Sequence, residues 1–171
     1  MSMAVIIALG TLAAVLAVMA GEAVLSAHNA SVLRARGAVE PPGDVYRLMQ
    51  WAYPLGFIAM ALEGAARGPS PPPVMLAGLV VFGAAKALKA WAISSLGPRW
   101  SFRVLVPPGE PPVVRGPYRL MSHPNYLAVG GEIVGVALIV GALVSGIGAF
   151  VGFGWLMLRR IAVEDHALGR R

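Results

Sequence analysis

The apolar stretches of this chain are continuous and as long as a bilayer is thick, and that length limits the fold to two classes. A segment within hydrocarbon must satisfy its own backbone N–H and C=O groups, so only helices and closed barrels cross it. About 20 apolar residues make one helical crossing, whereas a barrel needs alternating strands of about ten. The stretches here are unbroken and rich in Ala, Leu, Val and Gly, so helices are expected. Composition agrees: 57% of the 171 residues are hydrophobic and 13% are charged, against roughly 25% charged in an ordinary soluble domain, and mean hydropathy is +0.72. The expectation is one membrane-embedded domain over residues 1–171, with helices filling 1–96 and a second part over 97–171.

The first span runs from Ser2 to Ala27, with Glu22 near its end, and gives way to a polar stretch, His28 to Asp44. Pro41, Pro42 and Gly43 break any helix there. A second span covers Val45 to Ala66, kinked at Pro54 by the loss of one backbone hydrogen bond. After the Pro-rich turn Arg67–Pro73, a third span runs from Val74 to Leu96 and stops at Gly97-Pro98. From Arg99 to Pro124 the chain is polar and too Pro-rich to span, with Val104–Val106 and Val113-Val114 as short extended pieces. The last apolar region, Asn125 to Val163, is nearly twice the length of one helix and carries Gly141, Ser145, Gly146 and Gly148 near its middle, so it reads as a helical hairpin. Its glycines, Gly130, Gly131, Gly135, Gly141, Gly146, Gly148, Gly152 and Gly154, have the small-residue spacing that brings helices close in lipid. An all-α bundle of about five transmembrane helices results.

The formal charge is +6, but no basic run is interleaved with aromatics, so nucleic acid is excluded as a partner. In a five-span arrangement Arg34, Arg36, Arg47, Lys86, Lys89, Arg99, Arg103, Arg115, Arg119, Arg159, Arg160, Arg170 and Arg171 fall toward one side and Arg67 toward the other. The positive-inside rule makes the first side cytoplasmic, with the N-terminus outside and the C-terminus inside. No cleaved signal peptide is expected, because the N-terminal run lacks a basic leader and is long enough to span. Glu22, Lys86, Lys89 and Glu132 lie inside apolar spans, where an isolated charge costs at least a few kcal/mol, so ion pairing or a hydrated cavity is expected. Glu63, near the outer end of its span, reads as interfacial. Cysteine is absent, which removes thiolate metal sites, and His28, His123 and His166 lack ligand spacing, so no metal site is expected.

Three polar clusters fall on the cytoplasmic side: Gly116-Pro117-Tyr118-Arg119, Ser122-His123-Pro124-Asn125-Tyr126, and Arg159 to Asp165. Each alone is ordinary, since Tyr anchors at membrane boundaries and Arg marks topology. In combination, Gly-Pro-Tyr-Arg-x-x-x-His-Pro-x-Tyr, an apolar hairpin and Arg-x-x-x-Glu-Asp resemble the isoprenylcysteine carboxyl methyltransferase family. Ala30–Glu40 and Leu88-Lys89-Ala90-Trp91-x-x-x-Ser95-Leu96-Gly97-x-x-Trp100 are similar to its bacterial branch, which includes alkylpyrone O-methyltransferases; the likeness covers His28 to Leu168. The chain departs from the pattern at Ser122, Asp165 and Ala27-His28-Asn29, where many relatives carry Arg, Glu and a more basic pair.

The resemblance implies a bacterial cell-membrane enzyme that uses S-adenosylmethionine to methylate a carboxyl or enolic oxygen. Its partners would be a lipophilic small-molecule or prenylated acceptor and membrane lipid, with the oligomeric state left open. By position it implies a cofactor pocket at Glu110, Pro111, Pro112, Val113, Tyr118, His123, Pro124, Asn125, Tyr126 and Glu164. Arg160, on the same helix face as Glu164, would bind the acceptor, and the two form the catalytic pair. Two other readings stand beside this one: a sterol-type membrane reductase, which shares a related His-Pro-x-Tyr and late acidic motif but would use NADPH, and a non-catalytic membrane scaffold.

Overall fold

Ser2 begins the first helix by accepting a hydrogen bond from the Val5 N–H onto its Oγ (3.4 Å). The computed structural model describes residues 1–167 as an all-α bundle: α1 (Met3–Ala35), α2 (Tyr46–Arg67), α3 (Pro72–Leu96), α4 (Pro124–Val140) and α5 (Leu143–Ala167). Leu168, Arg170 and Arg171, which entered the sequence readings, lie outside the described residues. By length and composition Met3–Ala35, Pro72–Arg99 and Leu143–Ala167 are apolar enough to cross a membrane, and α4, with 17 residues, is a shorter apolar helix. Large apolar side chains such as Leu9, Leu55, Leu76, Val80, Val151 and Leu158 point outward, as an integral membrane protein requires.

The first helix is longer than its apolar run. It continues eight residues past Ala27, to Ala35, rather than ending where polarity begins. The ladder stops at Gly37, whose φ of 82° lets Gly37 and Ala38 N–H turn back onto the Arg34 and Leu33 carbonyls. The added turns carry Asn29 and Leu33 into the interior. Pro54 sits inside α2 without ending it. The hairpin turns at Gly141, in the left-handed region at φ 75°, after which α5 begins at Leu143. Val104 to Val106 is extended in part: Val106 pairs with Val39 in one antiparallel bridge.

Helix contact follows the glycines selectively. A Cβ on Gly78 would meet the Gly135 carbonyl at 2.8 Å, and one on Gly135 would meet the Phe82 backbone at the same distance, so α3 and α4 touch backbone to backbone. Gly148, Gly152 and Gly154 have nothing within 4 Å and take no part in packing within the bundle. Phe57, Met60, Ile133, Val136, Val140, Phe153 and Leu156 make the core between α2, α4 and α5.

The four intramembrane charges pair with each other. Lys86 Nζ lies 3.0 Å from both Glu22 and Glu132, and Lys89 Nζ lies 2.8 Å from Glu22 and 3.0 Å from Glu132. Tyr53 donates its hydroxyl to Glu132 at 2.6 Å. Side chains of α1, α2, α3 and α4 thus meet in a charge-balanced knot in which Glu132 is fully buried. Glu63 is more than interfacial. It accepts from Val144 N–H (3.1 Å), Ser145 N–H (2.7 Å) and Ser145 Oγ (2.6 Å), which satisfies the free donors at the start of α5.

Candidate active site

The C-terminal ends of α1, α3 and α5 and the N-terminal ends of α2 and α4 share one end of the bundle, and the segment between α3 and α4 folds back across it. Side chains hold that segment by its backbone. Asn29 Nδ2 donates to the Trp100 carbonyl (2.8 Å), Phe102 N–H donates to Ser26 Oγ (2.7 Å), Arg160 donates to the Phe102 carbonyl, and Val104 N–H donates to Asp44 Oδ2 (3.5 Å). Residues 100, 102 and 104 are therefore each pinned by a backbone group, across a bend at Phe102 and Arg103 where Arg103 N–H donates to Ser101 Oγ (2.9 Å). Further out, Glu110 bridges Arg36 and Arg99, and Glu40 bridges Arg34 and Arg103.

Beneath this roof Gly116–Arg119 forms a 3-10 turn. Gly116 has φ 57° and packs so close to Ser95 that an added Cβ would overlap the Ser95 hydroxyl. Arg115 Nε donates to the Ser95 carbonyl (2.6 Å), fixing the turn to the end of α3. Pro124 occupies the first position of α4, where its missing N–H is no loss. Two residues on, Tyr126 donates its hydroxyl to Glu164 Oε2 (2.9 Å). His123 Nε2 lies 3.1 Å from Asp165 Oδ1, and its ring sits 5.5 Å from that of Tyr126. The start of α4 and the end of α5 are therefore joined through two side-chain pairs.

Two cavities open here. The more polar one, about 130 Å³, is lined by Arg99, Arg103, Tyr118, Ser122, His123, Asn125, Tyr126, Arg160 and Glu164 and by apolar groups that include Leu96, Trp100, Val104, Leu105, Val106, Pro112 and Val113. The second, about 330 Å³, lies deeper and has a mainly apolar wall that includes Met19, Ala23, Met49, Trp51, Pro54, Val129 and Phe153, with Tyr53 and Lys89 of the charged knot. Ser101, Asn125, Tyr126 and Arg160 line both, so they form the wall between them. Arg160 is buried, with Nη2 3.6 Å from Asp44 Oδ2 and Nη1 3.8 Å from Met49 Sδ. Asn125 Oδ1 and Arg160 Nε are buried without a hydrogen-bond partner; such orphaned groups cost free energy unless a ligand serves them.

Of the residues singled out in the sequence, Pro112, Val113, Tyr118, His123, Asn125, Tyr126, Arg160 and Glu164 converge on the polar cavity. Glu110 and Pro111 do not line it: Glu110 is held by arginines, and the Pro111 carbonyl accepts from Arg99 (2.8 Å). Pro124 is buried beneath the cavity as the first residue of α4. Ser26, Asp44, Ser101 and Phe102 were given no role in the sequence, and Asn29 entered only within a departure from the family pattern; the one available signal is the row Glu22, Ser26 and Asn29, polar positions on one face of an apolar helix.

The model of the Isoprenylcysteine carboxyl methyltransferase (ICMT) family matches residues 76–170, more than half of the chain. "Uncharacterized protein YpbQ" of Bacillus subtilis (strain 168) is 31% identical over 150 residues, covering 87% of this chain and 89% of that protein. No solved structure matches.

Proposed function

Because the chain belongs to the isoprenylcysteine carboxyl methyltransferase family, we propose that it is a membrane O-methyltransferase acting from S-adenosylmethionine on a lipophilic acceptor. The methylated group is a carboxyl or enolic oxygen, and the acceptor is prenylcysteine-like or alkylpyrone-like. The observation that carries this reading is the common wall: a polar cavity and an apolar one separated by Ser101, Asn125, Tyr126 and Arg160. A methyl transferred where the two cavities adjoin, with acceptor oxygen and methyl carbon in contact, calls for a water-soluble donor on one side and a lipid-soluble acceptor on the other.

The lining of the polar cavity suits the chemical groups of the donor. Glu164, oriented by the Tyr126 hydroxyl, suits an ammonium or ribose hydroxyls, and Arg99 and Arg103 suit a carboxylate. Leu96, Pro112, Val113 and Tyr118 give apolar surface for a flat heterocycle. Asn125 Oδ1, without a partner in the protein, is an acceptor waiting for a donor. Bound there, S-adenosylmethionine would supply a methyl carbon made electrophilic by its sulfonium. The chain's own work is alignment and the exclusion of water by the roof. Arg160 offers a forked cation to an acidic oxygen, which arrives already ionised, so no general base is required of the protein. The apolar cavity would take the acceptor's tail.

Charge supports the cytoplasmic side of a bacterial cell membrane for this end of the bundle. Arg34, Arg36, Arg47, Arg99, Arg103, Arg115, Arg119, Arg159 and Arg160 lie toward it, and Arg67 lies at the other end. Calorimetry on the detergent-purified protein tests the reading. S-adenosylmethionine should bind; Glu164→Ala and Tyr126→Ala should weaken it, while Arg160→Ala should mainly lower turnover. Binding of NADPH with none of S-adenosylmethionine would replace the methyltransferase with a reductase.

A further inference from the structure

Building on the reading of Arg160 as the acceptor-side cation, we infer that Asp44 is a positioning residue that sets the Arg160 guanidinium and couples it to the roof of the polar cavity. Asp44 lines neither cavity. Its side chain is 4% exposed and that of Arg160 is 8% exposed, so both charges have left water at a cost that their mutual pairing and their hydrogen bonds to the backbone offset. Among the described residues no other carboxylate forms an ion pair with Arg160.

The spacing defines what Asp44 does. At 3.6 Å, Asp44 Oδ2 is beyond hydrogen-bond length from Arg160 Nη2. It steers the guanidinium by charge without consuming a donor; Nη2 already serves the Phe102 carbonyl and Nη1 lies against Met49 Sδ, so Nε, buried without a partner, is the donor left to an acceptor oxygen. Asp44 is itself immobilised, because Oδ1 accepts from Tyr46 N–H (3.1 Å) at the start of α2. Arg160 and Asp44 also hold the roof at neighbouring points, Arg160 on the Phe102 carbonyl and Asp44 on Val104 N–H. The orientation of the acceptor-side cation and the closure of the donor cavity are therefore one arrangement. A roof that lifts from the donor releases Arg160 as well, and a roof in place presents Arg160 in register with the wall at Asn125 and Tyr126.

A purely structural role for Asp44, as a cap on α2, predicts something different, and Asp44→Asn separates the two. Asn keeps the shape and still accepts from Tyr46 N–H at the start of α2, but it carries no charge and its amide NH2 cannot accept the long contact from Val104 N–H. Methyl transfer is read as tritium passing from labelled S-adenosylmethionine into an extractable product, with a total membrane lipid extract as the acceptor pool. For Asp44→Asn, affinity for S-adenosylmethionine should stay within about twofold, while kcat falls roughly ten- to a hundredfold, the scale on which misplacing a reacting group acts. Asp44→Glu should restore part of the loss. On an Arg160→Gln background, which removes the cation, Asp44→Asn should cost nothing more, because Asp44 works through Arg160. If Asp44→Asn does not fold, Asp44→Ser, which can also accept from Tyr46 N–H, carries the same expectations. Unchanged turnover, a fall in donor affinity equal to the fall in turnover, or full additivity with Arg160→Gln each overturns the inference. An unsubstituted protein that does not bind S-adenosylmethionine overturns the methyltransferase reading instead.

Discussion

Gly116 is where one added carbon does the most local damage. Its φ of 57° is a conformation an L side chain adopts at a cost of about 1–2 kcal/mol, and a Cβ there would overlap Ser95, which anchors Arg115 through its carbonyl. Gly116→Ala should push the Gly116–Arg119 turn away from α3, carry Tyr118 off the wall of the polar cavity and weaken S-adenosylmethionine binding about tenfold. Titration calorimetry reads this directly, and donor affinity equal to that of the unsubstituted protein would show that the turn does not shape the cavity. The residues of this site that were legible in the sequence are those whose relation is local: Tyr118, His123 and Tyr126 around two prolines, and Arg160 with Glu164 one helical turn apart. Glu110 and Pro111 fall outside the cavity lining, since a broken, Pro-rich segment has no periodicity to say which way a side chain points; here arginines pair with them. Asp44, Ser26 and Asn29 act on partners 60 or more positions away, a distance over which one sequence carries no pairing signal.

At the scale of elements the helices were legible because bilayer length and apolar composition leave few alternatives, and because Pro72, Pro124 and Gly141 mark their ends. The first helix was read short, since polarity reports where the hydrocarbon stops and not where the hydrogen-bond ladder stops; that waits for Gly37. The role of Glu63 was hidden for the same reason as that of Asp44: it lies at the end of α2 and serves α5. Glu63→Ala strips an acceptor from two backbone N–H groups and one hydroxyl. The expected loss is about 1 kcal/mol, on the scale of a lost N-cap, with donor binding unchanged because the cap is at the opposite end of the bundle from the site. Denaturant midpoints in detergent measure the first, calorimetry the second; an unchanged midpoint would mean water replaces the carboxylate without penalty.

Across the whole molecule two features organise the bundle, the buried knot and the difference between its ends. In the knot two carboxylates face two lysines, so removing one member leaves an uncompensated charge, at a cost of about 3–5 kcal/mol. Glu132→Ala should lower the melting temperature strongly, and removing the opposite charge as well, with Lys89→Met, should recover part of it; a double variant no better than the single one would rule out charge balance as the reason. The difference between the ends bears on orientation. The polar cavity, the roof and nearly all the arginines share one end, while Arg67 and Glu63 mark the other. The chain has no cysteine, so a single introduced cysteine reports one position without background. Ser70, in the turn between α2 and α3, and Ser122, at the mouth of the polar cavity, lie toward opposite ends. In intact cells a membrane-impermeant maleimide should label Ser70→Cys at once and Ser122→Cys only after permeabilisation. The reverse pattern would put the donor cavity outside the cell, away from the supply of S-adenosylmethionine, and the positive-inside argument and the methyltransferase reading would fail together.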